Sequence, residues 1–155
     1  MRSRMLAVGA VSVMAVFGGF SMTGSAVATE QNSPQIFTAT YTDSDGVEPP
    51  AILLGPNGEK PTEWGVAVIP ADVTGPIISP MTTKSVGGGT WSYEVGTDGI
   101  NKACSSKYIH PSKKHSATAV IGSKADKVIK EKDIWANAYA TAGLKFTCET
   151  YWGVY

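Results

Sequence analysis

The stretch Tyr108-Ile-His-Pro-Ser-Lys-Lys-His-Ser-Ala-Thr-Ala-Val-Ile121 holds both histidines of the chain, an adjacent lysine pair and a run with a period of two. In its second half Ala117, Ala119 and Ile121 fall on one face and Ser116, Thr118 and Val120 on the other, which is the spacing of a β-strand. In its first half Pro111 fixes its own φ and pushes His110 toward an extended conformation. His110, Ser112, Lys113 and Lys114 are therefore expected on a bend that feeds the strand. Such a bend gathers imidazole, hydroxyl and ammonium groups at one strand start.

Reading outward toward the C-terminus, Lys124, Lys127, Lys130 and Lys132 surround Val128-Ile129, so Gly122–Asp133 is expected as a solvated loop or a single helical turn. From 134 to 141, Trp135, Asn137, Tyr139 and Thr141 alternate with Ile134, Ala136, Ala138 and Ala140, and Ala142-Gly143 is expected as a turn. Leu144, Phe146, Cys148, Thr150 and Trp152 then share one face of a last strand. Upstream, Thr90–Val95 places Trp91, Tyr93 and Val95 on one face, and Gly96-Thr-Asp-Gly99 reads as its turn. Residues 86–155 thus predict about four strands and no helix. The fold class that follows is all-β, a small antiparallel β-sandwich-like domain.

The part before it differs in composition. Ile36–Tyr41 and Trp64–Ile69 are strand candidates, Ala51–Leu54 is a short apolar segment, and Ile77-Ile78 is a brief edge or linker piece between prolines. After Pro80 the only proline is Pro111. Residues 29–85 carry two lysines and seven acids, net −5, whereas 86–155 carry nine lysines and six acids, net +3. A boundary is expected near 85/86, with an acidic, Pro-rich β/irregular segment or accessory module before it that is separable from function, as a mask or an added module. At the very start, Met1-Arg-Ser-Arg, an apolar run to Phe20 and Ser25-Ala-Val-Ala28 form a secretory signal, with cleavage after Ala28.

The chain is neutral overall, with 13 basic and 13 acidic residues. All nine basic residues after position 85 are lysine, so the bidentate guanidinium fork is missing and nucleic acid is not an expected partner. An anionic membrane surface or a pyrophosphate-bearing lipid fits point charges better. Cys104 and Cys148 are the full thiol inventory of an exported chain and are expected as a disulfide. Two thiols are too few for a structural metal site, and no cofactor motif is present.

The elements Gly88-Gly-Thr-Trp-Ser-Tyr93, Tyr108-x-His-x-Ser-Lys-x-His-Ser-Ala-Thr118, Trp135-Ala136 and Tyr151-Trp152, in this order, resemble the lactococcin 972 family of secreted bacteriocins over residues 86–155. The resemblance implies an exported antibacterial protein of Gram-positive bacteria and a sandwich of short antiparallel strands. It also implies inhibition of cell-wall synthesis at the septum through lipid II, with dedicated immunity or export partners. In typical relatives the Gly-Thr-Trp element lies close to the mature N-terminus; here residues 29–87 intervene.

Three functions follow as alternatives. The first is non-catalytic binding of a cell-wall precursor at the target membrane, with Trp91, Tyr93 and Trp135 as amphipathic anchors, His110, Ser112, Lys113, Lys114 and His115 as phosphate donors, and Tyr108 as a further candidate contact. A homodimer is compatible with it. For any one tryptophan, a place in the core is the competing account. The second is a wall hydrolase using the histidines with Glu94 or Asp98, although no hydrolase motif accompanies them. The third is a structural or adhesive wall-associated domain without killing activity.

Overall fold

The computed structural model describes residues 35–72 and 81–155, which belong to one compact unit, Asn32–Tyr155. The expected signal segment and the Ile77-Ile78 piece lie outside the described residues. Among the described residues nine strands form: β1 Phe37–Thr42, β2 Glu63–Ile69, β3 Thr82–Val86, β4 Gly89–Asp98, β5 Asn101–Ile109, β6 His115–Ile121, β7 Lys124–Lys130, β8 Ala136–Gly143 and β9 Cys148–Val154. They build two antiparallel sheets, ordered β1-β2-β9-β6-β7 and β3-β4-β5-β8. The architecture is all-β and sandwich-like, as the alternating runs require, and β5 and β8 lie over β6 and β9.

The inner faces follow the sequence periodicity. Trp91, Tyr93 and Val95 point inward from β4, and Ala136, Ala138 and Ala140 from β8. Ala117, Ala119 and Ile121 do so from β6, and Cys148 and Trp152 from β9. Small residues on β6 and β8 leave room for the large rings, so the two faces interdigitate rather than stack. Trp152 is fully buried, with its ring centroid 5.2 Å from that of Tyr108. Gly65, opposite Trp152 on β2, is needed there: a Cβ would meet Trp152 Nε1 at 2.4 Å. A buried polar chain crosses the core as Trp91 Nε1–H donates to Ser106 Oγ at 3.0 Å and the Ser106 hydroxyl donates to the Tyr151 carbonyl at 2.8 Å. Cys104 on β5 and Cys148 on β9 are disulfide-bonded with a Cα–Cα distance of 5.7 Å, which ties one sheet to the other.

Three expectations are corrected. The lysine-rich 122–133 segment is not a loop or helical turn but contains strand β7, turned back on β6 by Gly122 at φ 58°. Its lysines sit on a sheet edge, where charge is compatible with a strand, and Val128 packs on the core. Residues 86–155 accordingly hold six strands (β4–β9), not four. Strand β4 runs on to Asp98 and β8 to Gly143, so the turns fall at Gly99-Ile100 and Leu144–Phe146, and Leu144 and Phe146 are not strand residues. Ala51–Leu53 is a 3-10 turn that sends Leu53 into a second apolar cluster with Trp64, Val66 and Tyr151 on the outer face of the five-stranded sheet.

The compositional shift at 85/86 does not coincide with a gap in the packing. β2 pairs with β9 over seven registered residues, and β3 pairs with β4. The segment 43–62 lies against the outer face. There Tyr155 Oη donates to the Leu53 carbonyl at 2.6 Å, and Thr62 N–H donates to the Val154 carbonyl at 2.7 Å.

Candidate functional site

The bend between β5 and β6 forms as the sequence requires, and both histidines are built into it rather than presented by it. His110 is 4% exposed; its Nδ1 accepts from the N–H groups of Ser112 and Lys113 at 3.1 and 2.9 Å. That leaves the ring proton on Nε2, toward the Gly87 backbone. Burial first, and then the Lys113 charge beside it, pushes the imidazole below its ordinary pKa, while the Gly87 contact opposes this. His115 is fully buried, with Nδ1 2.9 Å from the Lys113 carbonyl and Nε2 2.8 Å from the Ile134 carbonyl. Its ring meets Tyr108 edge-on at 5.5 Å. Neither imidazole therefore stands ready as a donor to an outside phosphate, because each is spent on backbone groups that a tight bend would otherwise leave unpaired.

Trp91, Tyr93 and Tyr108 are likewise core residues, 2%, 4% and 0% exposed, which corrects the expectation of Trp91 and Tyr93 as surface anchors and of Tyr108 as a target contact. The Tyr108 hydroxyl donates to the Val86 carbonyl at 3.0 Å, and burial drives its pKa far up. Lys114 is also engaged: its Nζ lies 2.7 Å from Glu59 Oε1 and 5.6 Å above the Tyr155 ring. Sequence spacing carries no sign of the Glu59 contact, since the two residues are 55 positions apart.

What remains outward is a smaller set. Ser112 and Lys113 are exposed on the bend, and Trp135, 41% exposed, stands at the start of β8. Two hydrogen bonds bring them to the same end of the molecule, the Asp133 N–H to the His110 carbonyl at 2.9 Å and the His115–Ile134 contact. Lys130 faces His115 in the β6–β7 register, and Lys130 and Lys132 are exposed. Among the described residues Lys113, Lys130 and Lys132 form no ion pair. Beside them is a groove of about 560 Å³ floored by Gly87-Gly88-Gly89 and walled by Ile109, Pro111 and Asp133. Its glycines are packing requirements: a Cβ on Gly87 would meet Trp152 at 2.3 Å, and one on Gly89 the Ile109 carbonyl at 2.3 Å.

A second, shallower groove of about 320 Å³ runs between Met81, Lys107, Trp135 and Asn137 on the outer face of the four-stranded sheet. Tyr139, 51% exposed, continues this face. The sequence reading missed Tyr139, Asn137 and Lys107 as accessible groups, although the Trp135-Asn137-Tyr139 alternation marked their common side.

Arranged this way, the end of the sandwich offers point positive charge and a hydroxyl near a glycine-floored groove walled in part by Asp133, and an amphipathic indole lining the second groove. That combination can hold an anionic head group at a wet, partly apolar surface. No cluster among the described residues could hold a metal ion, and no helix among them is long and apolar enough to cross a membrane.

Residues 87–152 match the model of the family described as Bacteriocin (Lactococcin_972). The stretch whose motifs resemble lactococcin 972 thus contains the matched residues, and the match supports a bacteriocin-like function. No curated protein and no solved structure matches.

Proposed function

We propose that the protein is a secreted antibacterial protein that binds the cell-wall precursor lipid II at the membrane surface of related Gram-positive bacteria and blocks septum formation. Export would use residues 1–28 as a signal cleaved after Ala28, and the producing cell would need an immunity partner. Lys113, Ser112 and Trp135 would carry the contact, with Lys130 and Lys132 adding charge. The observation that favours this reading is their convergence. The two histidines pin the cationic bend against the strand start that bears the exposed indole, inside the family-matched segment.

The test is Lys113→Ala combined with Trp135→Ala, two outward residues whose removal leaves the core untouched. Binding to vesicles with and without lipid II, and growth inhibition of a sensitive strain, should both fall about tenfold or more, with circular dichroism unchanged. The ionic part of the loss should shrink at high salt. Equal binding of parent and variant, or equal binding to vesicles lacking lipid II, removes the reading. A wall-associated domain without killing activity is what an inactive parent would indicate.

A further inference from the structure

The outer face of the four-stranded sheet carries side chains that the core does not use. Trp91, Tyr93 and Val95 turn inward from β4, and Cys104 and Tyr108 from β5, so Ser92, Glu94, Ser105 and Lys107 look outward. The strand register sets these in two rows that end on β8: Ser92, Lys107 and Asn137 in one, Glu94, Ser105 and Tyr139 in the next. Ser92 and Ser105 are small and nearly buried, so the floor between the taller groups is low.

Two rings stand along the β8 side of this floor. Trp135 is 41% and Tyr139 51% exposed, and four residues of extended chain set them about 13 Å apart. The Tyr139 hydroxyl donates to Asp98 Oδ2 on β4 at 3.4 Å, and β5 lies between β8 and β4. The side chain therefore crosses β5 and lies along the sheet, with an aromatic face left open to C–H groups. Beside it, Lys107 Nζ and Glu94 Oε1 are 4.0 Å apart, too far for a hydrogen bond, and both side chains are more than one-third exposed. The Asn137 amide keeps its oxygen and one N–H, while the other reaches the Trp135 carbonyl at 3.4 Å. Donors and acceptors are thus side by side within reach of one ligand.

Charge decides the kind of ligand. Asp98 and Asp126 accept from the Tyr139 hydroxyl and N–H, and with Glu94 they outweigh Lys107 around this ring. An anionic head group is repelled there, whereas a neutral molecule with an apolar ring face and many hydroxyls meets both the aromatic faces and the polar row. The interval between the two rings is longer than one pyranose unit, so the ligand is a chain.

We propose that this face is a binding platform for an extended, uncharged glycan chain, stacked on Trp135 and Tyr139 and hydrogen-bonded by Glu94, Lys107 and Asn137. It differs from the lipid II contact in its ligand, which carries neither phosphate nor lipid, and in Tyr139, Asn137 and Glu94, which take no part there.

Isothermal titration of the full chain with the hexamer of N-acetylglucosamine, a neutral and extended chain, should show binding that does not change with ionic strength. Tyr139→Ala should weaken it about tenfold or more, and Tyr139→Phe, which keeps the ring, should stay within about threefold of the parent, with circular dichroism unchanged in both. Binding of Tyr139→Ala to vesicles containing lipid II should match that of the parent. A parent that ignores the hexamer but binds lipid II vesicles overturns this inference alone. Equal hexamer binding by parent and Tyr139→Ala places the sugar elsewhere and overturns it too. Loss of lipid II binding in Tyr139→Ala would merge the two contacts, and binding to anionic vesicles lacking lipid II that Tyr139→Ala abolishes would make the occupant a lipid surface; either result overturns the platform as proposed.

Discussion

Among single residues, Glu59 and Lys114 make the contact most sensitive to solution conditions. The hydrogen bond from Lys114, with the Asn57 N–H, holds the Glu59 carboxyl down at about 2, and the same pair raises Lys114. A carboxyl whose folded pKa is depressed contributes stability above its unfolded value of about 4.3, and loses it as pH falls toward the folded value. The pair therefore helps fasten the 43–62 segment to the bend at neutral pH and lets go only in strong acid. Both side chains are about one-third exposed, so solvent screens the contribution. Lys114→Met should flatten the fall in melting temperature between about pH 5 and pH 2 relative to the parent, as followed by circular dichroism. At this scale the sequence marked the right bend, because Pro111 fixes it locally. It did not reveal which donors are consumed: His110 and His115 have the composition of a site and the hydrogen bonds of a scaffold.

For the strands, the informative case is the pair β5 and β9. β9 was legible from alternation and the disulfide from the cysteine count, whereas Asn101–Ile109 was not read as a strand, and the relation of the two is tertiary: they sit in different sheets, and Cys104–Cys148 joins the layers 44 residues apart in sequence. In the chain-entropy account a crosslink of this span stabilises by about 4 kcal/mol. Cys104→Ala with Cys148→Ala keeps two small apolar side chains in fully buried places. It should lower the melting temperature by about 10 °C or more in a calorimetric scan, and the native parent should show no reactive thiol. β7 shows the opposite lesson. Lysine every third or fourth residue reads as a solvated loop, yet a strand at a sheet edge tolerates charge on its open side, and β6 supplied the ladder that composition could not show.

The whole molecule is assembled across its own compositional divide. β9, nearly all buried, lies between β6 of the lysine-rich part and β2 of the acidic part, and Ala67 and Ile69 of β2 belong to the same core as Trp91 and Trp152. A chain beginning at Val86 would strip β1, β2 and β3, expose the β9 edge and remove the cover of Tyr151. We expect such a truncated chain to lose cooperative unfolding and near-ultraviolet dichroism. A cooperative melt matching that of the full chain would show instead that residues 29–85 are a dispensable module. The charge difference of −5 against +3 then has a structural use at one contact, Glu59 to Lys114, rather than acting only at long range.

By itself the sequence determined the class of fold, since a period of two with β-branched and aromatic residues permits little but paired strands. It also determined the bend at Pro111 and the pairing of two lone cysteines. It carried enough of Gly-Thr-Trp and Lys-x-His-Ser-Ala-Thr to mark the family over residues 87–152. Only the tertiary structure decided which face of each strand is inside, that Trp91 is core while Trp135 is surface, and that the acidic segment completes a sheet. Those outcomes depend on contacts between residues tens of positions apart. Periodicity says that two faces differ, but which face meets another layer is settled only when the layers meet.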